Sequence, residues 1–435
     1  MKLAIYNNGI PFHGNFPVEG PLGGSESGIV YMSRELAALG IDVSVYCNCP
    51  SPGTYDGVEY IHYHRFFDDY KLRGWDVFIG FRSFDPFLIG RVAPRTIYWT
   101  GDAFDQPAIA GLGHPILQEN IDVHFCVSEW HRATFIDAFD LPAEKVVATR
   151  NGFRDDLVRR IEADNPVKNW TNGVYSSTPF RGLEGVLAMF PRLRRRVPGL
   201  SLDVYSSMKV YGWDQDNDRE AYDPIYRMAD QKGVTMHGSV GQEILLNSLA
   251  RSGFLLYPNT FDETSCISAI EAQACGAVVV TSAKAGLKET VADGETGVCI
   301  PGEPRSAEYQ RRFIDAVTGL AKNPDRHQMM SAAARKRAFE RYSWRAIASE
   351  WQSIFDQMEP SEVVPRWTGP LSLLEKAHGY LEKGNRSASL RILDRLRTQP
   401  FFENEIVNLE TKLMKSAALE SEAEADMPQV VRSGL

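Results

Sequence analysis

Two carboxylates, Glu263 and Glu271, stand eight positions apart in the stretch YPNTFDETSCISAIEAQACG that runs from Tyr257 to Gly276. The apolar run Phe254-Leu255-Leu256-Tyr257 before it reads as a buried strand, and Val278-Val279-Val280 after it as another. The pattern predicts a helix from about Thr264 to Cys275, with its first turn at a strand's carboxyl end, where open α/β sheets bind ligands. Amides of such a turn face an anion. Glu263 can accept hydrogen bonds from ligand hydroxyls beside those amides, and Glu271, about two turns on, can reach a second hydroxylated group. A diphosphate with a sugar at each end satisfies both.

A second element is the loop Pro21-Leu22-Gly23-Gly24-Ser25-Glu26, between the first predicted strand and a helix. Two glycines there let backbone approach a phosphate, and Ser25 is expected to cap the helix. On its own the loop reads better as a plain helix start. Asp214-Gln215-Asp216 has the spacing of a metal-binding acid pair, but it follows Gly212-Trp213 in a polar loop, so its acids are expected to form a turn. His13 and His131 read as packed or surface imidazoles.

The order strand, Pro258, Glu263, helix with Glu271, Cys275-Gly276, strand, then Glu289 and Asp293-Gly294-Glu295-Thr296-Gly297 resembles the Glu-x7-Glu element of retaining, family-4-type glycosyltransferases of the GT-B fold. The resemblance implies that Glu263 meets the transferred sugar and Glu271 the ribose of the nucleotide. It makes Gly23, Gly24 and Ser25, with Thr264, Ser265 and Cys266 at the second helix start, donor-binding positions. In Ser176-Ser177-Thr178-Pro179-Phe180-Arg181-Gly182, Arg181 fits one of the family's two basic positions and neutralises the leaving diphosphate. Ser176 stands where the other basic residue is expected, with Lys209 a candidate substitute. The family's usual His is absent from the turn Thr100 to Asp105, where Asp102 and Asp105 could orient the donor sugar or take the acceptor's proton. The catalytic set implied is Glu263, Asp102 and Arg181.

The elements that must position these groups alternate along the chain. Predicted strands at 2–6, 42–47, 77–80, 95–99, 123–127 and 145–150, with helices over 25–39 and 129–139, make one doubly wound unit. After Asn151-Gly152 and a charged, polar stretch over 155–172, a second alternation starts at Gly173. The fold expected is α/β, GT-B: two Rossmann-like domains facing across a cleft, plus a small helical extension. Expected bounds are 1–155 for the acceptor-side domain, 156–345 for the nucleotide-sugar domain, 346–360 for a helix crossing back, 361–417 for the extension and 418–435 for a disordered tail. Helices over 372–382 and 387–397, with a third over 402–415, loosely resemble one tetratricopeptide repeat, which must pack on the body or on another chain.

Composition narrows the function further. A net charge of −9 argues against nucleic-acid binding. The start MKLAIYNN lacks a signal-peptide core and no run approaches a membrane span, so a cytoplasmic location is expected. Arg192, Arg194, Arg195 and Arg196 could contact the inner face of a membrane, or simply complement a helix C-terminus. Six cysteines without a CxxC pair suggest neither metal nor disulfides. The activity implied is hexose transfer from a UDP or GDP sugar to a carbohydrate, lipid-linked or protein hydroxyl, in polysaccharide, lipopolysaccharide or glycoconjugate synthesis, without metal or cofactor. The C-terminal helices could support a homo-oligomer. A sugar-nucleotide epimerase of the same fold, or a non-catalytic nucleotide-sugar-binding scaffold, would keep the fold without the transfer.

Overall fold

A computed structural model describes residues 1–20, 22–363, 370–397, 407–409 and 411–414. Two parallel sheets dominate it. The first holds β1 (Lys2–Tyr6), β2 (Asp42–Cys47), β3 (Gly53–Tyr55), β4 (Val58–His62), β5 (Val77–Phe81), β6 (Arg95–Trp99), β7 (Val123–Cys126) and β8 (Val146–Ala148), in the order β3-β4-β2-β1-β5-β6-β7-β8. The second holds β9 (Asn169–Ser176), β10 (Ser201–Tyr205), β11 (Val234–Met236), β12 (Ser252–Tyr257), β13 (Val278–Ser282) and β14 (Gly297–Ile300), in the order β11-β10-β9-β12-β13-β14. Only β3 runs antiparallel to its neighbour, so helices must cover both faces of each sheet, and central strands such as β5, β12 and β13 are buried along their whole length.

In each sheet the strand order reverses at one place, between β1 and β5 in the first and between β9 and β12 in the second. A crevice opens outside the carboxyl ends of the strands at such a point. The chain segments leaving β1, β5, β9 and β12 are those that carry Gly23, Arg82, Arg181 and Glu263.

Several boundaries differ from the sequence reading. The acidic-segment helix spans Ile267–Ala274, with Cys266 as its N-cap residue, so Thr264 and Ser265 lie in a bend before it. Ser25 is not the cap of the glycine-loop helix: Gly23 holds that position, and Ser25 is the second residue of the Gly24–Ala38 helix. The polar stretch over 155–172 contains the Asp155–Ala163 helix and the start of β9. Its apolar Leu157, Val158 and Ile161 fall on one buried face, a period that the surrounding charges mask. The Asp214 triplet opens a helix over Gln215–Arg227, where the Asp214 side chain caps the amide of Asn217.

The Trp344–Gln357 helix returns to the first sheet, where Trp344, Trp351 and Phe355 share a buried cluster with Leu3, Ile5 and Ile29. The Trp351 indole meets Trp99 edge-on at 4.7 Å and donates to the Thr149 hydroxyl at 2.6 Å. Two further helices, Pro370–Glu382 and Arg386–Leu396, bury Leu374, Ala377, Leu393 and Leu396 in a cluster that includes Phe66, Phe78 and Phe87 of the first unit. Of the third helix expected over 402–415, residues 407–409 and 411–414 are helical, and the expected disordered tail lies outside the described residues.

Candidate functional site

The two switch points face each other across one cleft of about 780 Å³, a size typical of small-molecule sites. All ten residues singled out from the sequence line it: Gly23, Gly24, Ser25, Asp102, Arg181, Glu263, Thr264, Ser265, Cys266 and Glu271.

Glu263 follows β12 and is 6% exposed. Its Oε1 accepts from the Tyr257 hydroxyl at 2.5 Å, and both carboxylate oxygens lie 3.0–3.1 Å from Nη1 of Arg181. Arg181 is fixed by the 3-10 turn Pro179–Arg181, by the Tyr211 hydroxyl at 2.9 Å from Nη2, and by the Phe261 ring 4.3 Å beneath it. Burial works against its charge, but the Glu263 carboxylate, the Tyr211 and Tyr257 hydroxyls and the Cys266 thiol together outweigh it and raise the Arg181 pKa. Its buried Nε–H has no partner. Gly182 explains how the turn forms: it adopts φ +130°, and a Cβ there would stand 2.4 Å from the Pro258 carbonyl oxygen.

Glu271 projects from the middle of the Ile267–Ala274 helix and is 5% exposed. Burial pushes its carboxyl up to about 7, opposed only by a 2.8 Å hydrogen bond from the Gln242 amide. The same Gln242 accepts from the hydroxyl of Tyr31, on the first unit's Gly24–Ala38 helix, at 2.6 Å. A buried carboxylate of the second unit is thus tied to the opposite wall of the cleft. Cys266 is buried, and burial raises its thiol.

On the first wall, Asp102 is 7% exposed and accepts from Nε of Arg82 at 2.6 Å and from the Thr100 hydroxyl at 3.1 Å. Arg82 leaves β5 with φ +53°, a left-handed conformation that costs a non-glycine residue energy. Its Nη1 lies 3.8 Å from Glu26, which sits in the first turn of the Gly24–Ala38 helix and is itself 5% exposed. Burial raises the Glu26 pKa, offset in part by its own backbone amide and by Arg82. Sequence reasoning missed Arg82, Glu26, Gln242 and Tyr31 as site residues. The glycine loop contained Glu26 in plain view, whereas Arg82 gave no local signal.

Other expectations fall elsewhere. Ser176 lines the cleft and Lys209 does not, although its neighbour Tyr211 does. Asp105 is exposed outside the lining. His13 stacks on Tyr55 and pairs with Glu19 away from the cleft. His131 is buried, accepts from the Val127 amide at 3.1 Å, and is pushed down to about 3 by burial. Among the described residues no group of three or more His, Cys, Asp or Glu is arranged to hold a metal, and no helix is long and apolar enough to cross a membrane. The six cysteines are free and buried.

Residues 175–337 match the family described as Glycosyl transferases group 1. The chain is 24% identical over 382 residues to an alpha-maltose-1-phosphate synthase of Mycolicibacterium smegmatis, covering 77% of this chain and 95% of that one. It is 26% identical to a lipopolysaccharide 1,2-N-acetylglucosaminetransferase of Salmonella typhimurium over 50% of this chain and 59% of that one. Its fold superposes on sucrose-phosphate synthase of Thermosynechococcus elongatus with a TM-score of 0.65 at 17% identity, over 82% of this chain and 98% of that one. Anabaena HepE, solved in complex with UDP-glucose, matches with a TM-score of 0.63 at 14% identity, over 82% of this chain and all of that one. The fold is GT-B, and the residues that match the group 1 glycosyl transferase family lie in its second unit.

Proposed function

We propose that this GT-B protein is a retaining glycosyltransferase that moves a hexose from a nucleotide-diphosphate sugar to a hydroxyl acceptor. The observation that carries the reading is the arrangement at the second switch point, where a guanidinium and two buried carboxylates converge on one wall of the cleft. Glu263, with lone pairs beyond those used by Tyr257 and Arg181, accepts from hydroxyls of the transferred sugar. Glu271 accepts from the ribose. Arg181, the backbone of Gly23 and Gly24, and the amides at the start of the Ile267–Ala274 helix take the diphosphate. The start of that helix at Ile267 moves the helical amides three residues beyond Thr264, so Ile267 and Ser268, which also line the cleft, join Thr264 and Ser265 in that role.

In the transfer the acceptor oxygen forms its bond to the anomeric carbon on the face from which the diphosphate leaves. The anomeric carbon–oxygen bond breaks, and the acceptor's proton passes to the departing phosphate oxygen. Charge grows on the diphosphate as this happens, and Arg181 with the helix amides supplies countercharge that a metal supplies in other enzymes. Asp102, opposite, orients the donor sugar or the incoming hydroxyl.

The test is thermal unfolding with UDP-glucose, UDP-N-acetylglucosamine, GDP-mannose and their nucleosides. One nucleotide sugar is expected to raise the midpoint in a concentration-dependent way, and its nucleoside far less, because stabilisation grows with the logarithm of concentration over the dissociation constant. No shift with any nucleotide sugar would contradict the reading.

A further inference from the structure

The first-domain wall of the cleft has two features that the diphosphate and ribose contacts proposed above leave unused. One is the cluster Glu26, Arg82 and Asp102, in which a single guanidinium sits 2.6 Å from one buried carboxylate and 3.8 Å from another. With all three ionised the cluster has a net charge of −1, and Glu26, Arg82 and Asp102 are the charged residues among the described ones that this wall contributes to the lining. A phosphorylated acceptor placed there would bring its anion against two carboxylates and no uncommitted cation. Sugar hydroxyls fit instead: they donate to the carboxylates and accept from guanidinium N–H groups.

The other feature is an apolar part of the same lining. Ile10, Pro17 and Leu22 line the cleft from the segment between β1 and the Gly24–Ala38 helix, and Pro107 and Ala108 from the segment between β6 and β7. Ile10 is 38% exposed, and Phe104 in the second segment 43%. Residues 9–22 and 103–116 contain only Glu19 and Asp105 as charged residues, in a chain that is 24% charged. Phe104 adjoins the lining residue Ala103, and exposed apolar residues at the edge of a binding cleft suit the apolar part of a ligand.

We propose that the acceptor is an uncharged sugar carried on an apolar aglycone. Its ring lies against Glu26, Arg82 and Asp102, and its aglycone along the loops around Ile10 and Phe104. The inference rests on the glycosyltransferase reading and names the acceptor class that this reading leaves open.

The experiment gives the full chain its stabilising nucleotide sugar and compares octyl glycosides, methyl glycosides and phosphates of glucose, galactose, mannose and N-acetylglucosamine. Nucleoside diphosphate release without acceptor is recorded in parallel, and saturation-transfer NMR reads contact of the octyl chain directly. One octyl glycoside is expected to exceed its methyl counterpart at least about tenfold in kcat/KM, with its chain protons saturated. In the double variant Ile10→Glu, Phe104→Glu, at two partly exposed positions, that preference should fall to about one and the chain signal should vanish. Equal use of octyl and methyl glycosides, preference for a hexose phosphate, or an octyl chain that receives no saturation would overturn the proposal while leaving donor turnover intact. Absence of nucleotide-sugar binding and turnover would overturn the glycosyltransferase reading, and this inference with it.

Discussion

Glu271 is the residue whose environment makes the sharpest statement about chemistry. It releases its proton near pH 7 in the folded protein, against about 4.5 for an unperturbed carboxyl. Between those values the folded state holds a proton that the unfolded chain has lost. Stability from this group is therefore full below about pH 4.5 and is lost as pH rises through about 7. If the ionised carboxylate accepts from ribose hydroxyls, binding follows the opposite course. Affinity for the nucleotide sugar, whose diphosphate does not titrate in this range, should rise about tenfold from pH 6 to pH 8. Calorimetric titration checks this, and Glu271→Gln should flatten the profile; a flat profile in the unaltered protein would remove Glu271 from the ribose.

The two glutamates were legible from sequence because their helix and the strands around it are local patterns. Arg82 was not, since its partner Asp102 is 20 positions away in the loop after the next strand, and Gln242 was not, because Tyr31 lies 211 positions earlier. Such pairings exist only once the sheets have formed. A test of the missed residue follows: Arg82→Leu leaves the Asp102 and Glu26 carboxylates without their cation. Donor affinity should change less than threefold, whereas transfer to acceptor should fall at least about tenfold, roughly 1.4 kcal/mol. Equal losses in both would make Arg82 a folding residue.

At the scale of elements, the bend from Glu263 to Ser265 depends on a glycine far along the chain. The Gly286 amide donates to the Glu263 carbonyl at 2.9 Å, and a Cβ on Gly286 would stand 2.3 Å from the Thr264 carbonyl oxygen. Backbone meets backbone there, so no rotamer change relieves the clash. Gly286→Ala should cost about 1–3 kcal/mol of stability and displace the bend. Because Glu263 and the Thr264 hydroxyl ride on that bend, the latter donating to the Gly101 carbonyl across the cleft at 2.6 Å, turnover should fall more than unfolding alone explains. Kinetics on the folded fraction, read beside chemical denaturation, separates the two losses. The sequence located this strand–bend–helix unit but started its helix three residues early. Thr264, Ser265 and Cys266 have helix-start chemistry, and the contacts that hold them outside the helix come from Gly101, Asn151 and Gly286.

At the scale of the whole molecule, the domains are joined by more than the chain crossing between them. Glu289 of the second unit accepts from the amides of Glu129 and Trp130 at 2.8 and 2.6 Å, placing a carboxylate on the N-terminus of a first-unit helix. Among the described residues, none of the C-terminal helices lines the cleft. They cover apolar surface of the first unit, and the Pro370–Glu382 helix touches the short Asp85–Leu88 helix that follows Arg82. A protein ending at residue 360 should therefore still bind nucleotide sugar, yet unfold earlier and aggregate more readily, as Phe66, Phe87 and their neighbours lose cover. Light scattering and thermal unfolding with and without nucleotide sugar check this; loss of donor binding in a truncated protein that stays folded would show that the extension completes the site.

The central claim is that a nucleotide-diphosphate sugar is cleaved at the wall formed by Glu263 and Arg181. Phosphorus NMR of the unaltered protein and of Glu263→Gln, each with its stabilising nucleotide sugar and an accepted glycoside, tests it most directly. The account predicts that nucleoside diphosphate appears as glycoside forms, at least about tenfold more slowly in the variant, with the nucleoside diphosphate still bound by both. No diphosphate release from any nucleotide sugar, or the same rate in both proteins, would contradict it.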